Sequence, residues 1–155
     1  MNYWLFKSEP DDYSIRDLAT APEQTAKWDG IRNYQARNFL RDQVSQGDQV
    51  LFYHSQCKDI GVVGIAEIVR AAYPDPAQFD DTSKYFDAKA SFEQPRWFCV
   101  DIKYQASFKR VISLARLKAN PALADMVLLK QGRLSVQPVT QQEWQAILAM
   151  AESYT

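Results

Sequence analysis

The sequence predicts an α+β fold, a small and strongly curved antiparallel or mixed sheet with helices on its outside. Three observations carry this reading. The elements run in the order β-α-α-β-β-β-α-α, and the three consecutive long strands between residues 46 and 111 are placed to pair with their neighbours. Gly61 and Gly64 interrupt the second of those strands, as expected of a bulge or a close backbone approach in a curled sheet. Helices with capping signals precede and follow the strands.

Residues 3–7 alternate weakly and read as a strand. Pro10 stops the chain after "WLFKSEP", which ends an apolar run in a cation, a hydroxyl and a carboxylate, Lys7, Ser8 and Glu9. Ser14 before "IRDLA", with Asp17 three residues on, reads as a capped short helix. Residues 20–32 read as loop. Tyr34, Phe39, Leu40 and Val44 recur near helical spacing, so a helix is predicted over about 33–44. Gly47-Asp48 is a turn into the β-rich "QVLFYHS", and "IGVVGIAEIVRAAY" is the next strand. Residues 74–95 hold three prolines and four aspartates and read as a long, mostly irregular loop, a length that usually signals function or disorder. "RWFCVDIKYQASFKRV" is the third long strand, and "SLARLKAN" is a short helix stopped at Asn120-Pro121. "RLSVQPV" is extended, and Thr140 with Glu143 opens a final helix with a capping box.

A chain of 155 residues with no linker or repeat suits one compact domain, residues 1–155. No apolar run approaches membrane-spanning length, and the N-terminus lacks a signal-peptide pattern. Cys57 and Cys99 lack CxxC spacing and read as reduced thiols, so the expectation is a cytoplasmic monomer. A net charge of −1 argues against a non-specific nucleic-acid coat. Between Arg96 and Arg133, however, eight cations face only Asp101 and Asp125, a flank able to meet phosphates. The single histidine, His54, and the lack of a Cys/His cluster argue against a zinc site, and no phosphate loop, dinucleotide fingerprint or nucleophile elbow occurs. No metal or cofactor is expected.

What remains is a set of pattern-breaking segments at element ends: "FKSEP", "WDGIRNYQARNF", "LFYHS" with "GVVGIAEI", and "GRLSVQPV". Each mixes a large apolar or aromatic group with a few hydrogen-bonding ones. A small-ligand pocket needs that mixture, area from the first and identity from the second.

These segments, with "YPD" and "RWFCVDI", resemble the signature segments of the EVE domain family, over residues 2–150 and in one order. The resemblance implies a PUA-like fold, a curved sheet or partly closed barrel with flanking helices, related to YTH and ASCH domains. It implies recognition, without turnover, of a modified base in DNA or RNA or of a modified nucleotide. In YTH domains a similar "KS" lies beside the bound base, and a following tryptophan forms a cage wall. By that resemblance Lys7, Ser8 and Glu9 stand at a pocket mouth and Trp28 is the wall. The second cage tryptophan has no match in "SKYFDAK", where Tyr85 or Phe86 would serve. The remaining candidates are Arg32, Asn33, Tyr53, His54, Ser55, Arg133 and Ser135. Glu9 would accept from an exocyclic amine, while Asn33 and neutral His54 can both donate and accept. Lys109 and Arg110 are the expected phosphate contacts. Two alternatives stay open. One is an ASCH-like amidohydrolase on a modified nucleoside, with Lys7 as base and Glu9 in proton transfer; there Ser8, pointing away by strand alternation, would yield to Ser55. The other is a small-molecule sensor.

Overall fold

The computed structural model describes residues 1–153. Six strands form one mixed sheet in the order β2-β5-β4-β3-β1-β6. They are β1 (Tyr3–Ser8), β2 (Thr25–Trp28), β3 (Gln49–His54), β4 (Gly61–Pro74), β5 (Phe98–Ser113) and β6 (Val136–Val139). The helices are α1 (Ile15–Thr20), α2 (Tyr34–Asp42), α3 (Leu114–Ala119), α4 (Val127–Lys130) and α5 (Gln141–Glu152). The β3-β4 and β4-β5 pairs are antiparallel as expected, but β1 lies parallel to β3, with Phe6 opposite Phe52 and Ser8 opposite His54.

Alternation along β1 divides the molecule into two cores. Trp4 and Phe6 enter one, with Ile15, Leu18, Ala36 and Leu40 from α1 and α2. Leu5 enters the other, with Leu51, Tyr53, Leu117, Trp144 and Ile147. Side chains on a strand point alternately to its two faces, so a sheet covered on both faces buries successive residues. Both capping boxes form. The Asp17 amide donates to Ser14 Oγ at 3.0 Å and the Ser14 amide to Asp17 Oδ2 at 2.8 Å. Thr140 and Glu143 do the same at 3.1 and 3.0 Å.

Curvature is what positions the site. Strand β2 is separated from β1 by four inter-strand steps, about 19 Å in a flat sheet. Yet the Trp28 ring lies 5.5 Å from Phe6 and 5.4 Å from Phe52, centroid to centroid. The sheet has therefore curled so that its β2 edge folds over the face of β1 and β3. The β4-β5 register shifts at four places, each adding bend and twist. At Gly64 the backbones come so close that a Cβ would sit 2.3 Å from the Ala106 carbonyl oxygen. Only glycine permits that approach. Among the described residues β2 and β6 do not pair, so the sheet stays open.

Two elements were not expected. Residues 25–28, read as loop, form the edge strand β2, which is paired in the sheet with β5 alone among the described residues. Residues 127–130 form the one-turn helix α4. The long loop is irregular apart from a short 3-10 turn at Pro76–Phe79.

Candidate base-binding site

The ends of β1, β2 and β3 and the entry to β6 meet around a cavity of about 640 Å3. The Ser55 amide donates to the Ser8 carbonyl at 3.0 Å, and the Lys7 amide to the Ser135 carbonyl at 2.9 Å. The rim is thus stitched from three segments distant in sequence. Of the residues singled out from sequence, Lys7, Ser8, Glu9, Trp28, Ser55, Tyr85, Arg133 and Ser135 line it.

Trp28 is the apolar side of the cavity. It is 7% exposed, braced by Phe6 and Phe52, with the Tyr13 ring edge-on at 6.5 Å. The same ring therefore belongs to the first core and to the cavity lining. A wall fixed by packing keeps its orientation before a ligand arrives, which lowers the entropic cost of binding.

Tyr85 comes from the long loop and is held against the β2-α2 turn by a clasp. Arg32 donates to the Tyr85 carbonyl from Nη2 at 2.7 Å and Nε at 3.1 Å, and to Asp75 Oδ2 from Nη1 at 3.0 Å. Asp75, fully buried, also accepts from the Gly30 amide at 2.9 Å and the Ala77 amide at 2.8 Å. Gly30 has φ +75°, and a Cβ there would lie 2.7 Å from the Tyr85 ring. Glycine at this turn both permits the left-handed conformation and lets the ring seat directly on backbone.

The polar groups of "KSE" divide their work. Lys7 Nζ donates to the Gly132 carbonyl, and burial holds its ammonium below the ordinary lysine value. Ser8 Oγ donates to the Tyr13 carbonyl at 2.7 Å. Glu9 is exposed at the mouth. All three reach the cavity despite strand alternation, because the strand ends at Ser8 and the chain turns into Pro10.

Four singled-out residues sit elsewhere. Tyr53 is 2% exposed in the second core, and burial pushes its hydroxyl up to about 12. His54 Nε2 accepts from the Ile15 amide at 3.1 Å, so the neutral ring serves the first turn of α1, and burial lowers its pKa. Asn33 is the N-cap of α2 and accepts from the Ala36 amide at 2.9 Å. Arg32 is the clasp, acting on the cavity through Tyr85.

Conversely, Asp12, Tyr13, Lys27, Asp29, Gly30, Ile31, Gln56, Lys84 and Gly132 line the cavity without having been singled out. Asp29 carries the most chemistry. Its pKa is raised, first by loss of hydration and then by the charge of Asp75, against the pull of Lys27, its own amide and Arg32. The signal was its place between Trp28 and a turn-forming glycine. Lys27, Lys84 and Arg133 are exposed and form no ion pair among the described residues, so cations crown the opening.

The fold recurs in known proteins. Thymocyte nuclear protein 1 of Mus musculus is 44% identical over 98% of this chain and 74% of its own length. The crystal structure of human THYN1 in complex with 5-methylcytosine-containing DNA superposes with a TM-score of 0.93 at 41% identity, covering 98% of each chain. The YTH domain of Zygosaccharomyces rouxii MRB1, solved with N6-methyladenosine RNA, shares the fold at a TM-score of 0.55 and 13% identity, over 97% of this chain and 86% of that one. The EVE domain profile matches residues 2–150, and the chain belongs to the EVE domain family.

Proposed function

We propose that the protein binds a modified base in nucleic acid without turning it over, and that methylated cytosine in DNA is its ligand class. The observation that carries the reading is the cavity walled by Trp28 and Tyr85, on a fold that human THYN1 shares over 98% of this chain and that binds 5-methylcytosine DNA in that relative. A base entering such a cavity leaves its stack at a cost of a few kcal/mol, and an aromatic face returns about 1–3 kcal/mol. Polar groups at the strand ends read its edge. The cations Lys27, Lys84 and Arg133 around the opening meet the flanking phosphates, which supply affinity without sequence information. Lys109 and Arg110, exposed on β5, are the further cations we assign to phosphates. The reading includes action as a monomer in the cytoplasm, to be tested by size-exclusion chromatography and cell fractionation.

Fluorescence anisotropy on matched oligonucleotides, methylated and plain, at several salt concentrations tests the reading. The wild type should prefer the methylated strand, with a shallow salt slope of about two to four released ions. Equal affinity for both strands at every salt concentration would refute it. Incubation with modified nucleosides separates it from the amidohydrolase alternative: the nucleoside should be recovered unchanged.

A further inference from the structure

We infer that Asp29 reads the amino edge of the bound base, so that the site selects a pyrimidine carrying an exocyclic amine over its carbonyl counterpart. The inference rests on the base-binding reading above and names the residue that sets its selectivity.

Three carboxylates line the cavity, Glu9, Asp12 and Asp29. Asp29 directly follows Trp28, so their Cα atoms are about 3.8 Å apart. A base stacked on an aromatic ring presents its edge in a plane parallel to that ring, beside it. Asp29, joined to that wall by one peptide bond and itself lining the cavity, is the carboxylate assigned to that edge. Glu9 and Asp12 lie on a different segment, past the end of β1.

Among the described residues the acceptors of Asp29 are also free, as are those of Glu9 and Asp12, so it is the place of Asp29 beside the wall that distinguishes it. Asp75, whose charge acts on Asp29, is filled by the Gly30 amide, Arg32 Nη1 and the Ala77 amide. Arg32, the nearby guanidinium that would otherwise pair with Asp29, is spent on Asp75 and on the Tyr85 and Ile31 carbonyls. Asp29 is left with its own amide and no hydrogen-bond donor from another described residue. An ionised carboxylate offers about four acceptor positions and no donor. It therefore accepts from a cytosine-type N4 amine, and it repels the O4 carbonyl that a thymine or uracil presents at the same place. Asp29 is exposed at the opening, and the cavity walls remove only part of its hydration, so a matching donor replaces water there and a mismatched acceptor does not.

The test uses single-stranded oligonucleotides of one sequence, carrying 5-methylcytosine, cytosine or thymine at one position, so that mispairing does not enter. Anisotropy is read for the wild type, Asp29→Asn, Glu9→Gln and a distant charge-matched control, Asp125→Asn, whose side chain is 92% exposed. The wild type should bind 5-methylcytosine about 5- to 150-fold tighter than thymine. Asp29→Asn should collapse that ratio toward unity, and the control should keep it. Asp29→Ala replaces the asparagine variant if the latter fails to melt cooperatively. A wild type that separates 5-methylcytosine from cytosine but not from thymine overturns the inference alone. So does an Asp29 variant that keeps the ratio, or a collapse produced by Glu9→Gln instead. A wild type that does not separate 5-methylcytosine from cytosine removes the base-binding reading and this inference with it.

Discussion

Strand β1 meets a carboxylate near each of its ends. At the start stands Asp48, 2% exposed, which accepts from the Asn2 amide at 3.0 Å, Trp4 Nε1 at 2.9 Å and the Ser45 amide at 2.9 Å. Beyond the far end lies Asp29, exposed at the cavity and, among the described residues, with no donor but its own amide. Both carboxylates have a tryptophan beside them. At Asp48 the indole N–H is consumed by the acid, and the result is a closed structural joint. At Asp29 the indole is braced by Phe6 and Phe52, and the acid keeps its acceptors for something outside the chain. Residue type is the same at both; hydrogen-bond saturation together with burial separates the joint from the site.

Trp28→Ala should break the comparison most severely. The ring is core as well as wall, so the variant should lose about 3–5 kcal/mol of stability in denaturant unfolding. A residue that was only a pocket wall would lose affinity with the fold intact; burial to 7% exposure adds the fold to the cost. Trp28→Phe keeps an apolar ring and should fold while binding methylated oligonucleotide more weakly. Normal stability of the alanine variant would show that Phe6 and Phe52 do not depend on it.

Asp48→Asn comes next. Replacing a buried acid that holds three donors should cost about 2–3 kcal/mol, because a charge-assisted set is lost and donors are left poorly matched. The preference for methylated over plain strand, measured on the folded protein, should not move. A changed preference would mean that the two ends of β1 are not independent.

Gly30→Ala sharpens the comparison at the cavity. A Cβ forced to φ +75° should cost about 1–2 kcal/mol. Its contact with the Tyr85 ring should also shift that wall, so affinity should fall with stability. Unfolding curves and anisotropy on the same preparation check both.

The smallest effect concerns His54. Its folded-state pKa is lowered by burial, so the unfolded chain binds the proton more readily. Stability from the neutral ring is complete above the ordinary value of about 6.5 and declines as the pH falls below it toward the folded pKa. Protonation also removes the acceptor used by the Ile15 amide. Chemical denaturation across mildly acidic pH should show the decline in the wild type and a flatter profile in His54→Asn.

Much of the fold was legible locally. Ser14 with Asp17 and Thr140 with Glu143 announce helix starts because a capping box lies within four residues. Glycines 61 and 64 marked the bend in β4, where the register with β5 does shift. "TAKW" was read as loop because four residues without alternation say nothing of an edge strand until β5 is there to pair with it. The parallel β1-β3 pair was hidden by the neighbouring antiparallel strands, which suggested one rule for the whole sheet.

The site divides the same way. The sequence by itself determined the main element ends, the aromatic at residue 28 and the polar terminus of β1, because each depends on a few adjacent residues. Tertiary structure alone decided that His54 and Asn33 are spent on helix amides and that Arg32 is tied to Asp75, 43 positions away. It also decided that Trp28 crosses from one edge of the sheet to pack on Phe6 and Phe52. The physical reason is that a polar group's availability is what remains after its partners are counted. Those partners are chosen by the curl of the sheet and the docking of a distant loop, which no local stretch of sequence contains.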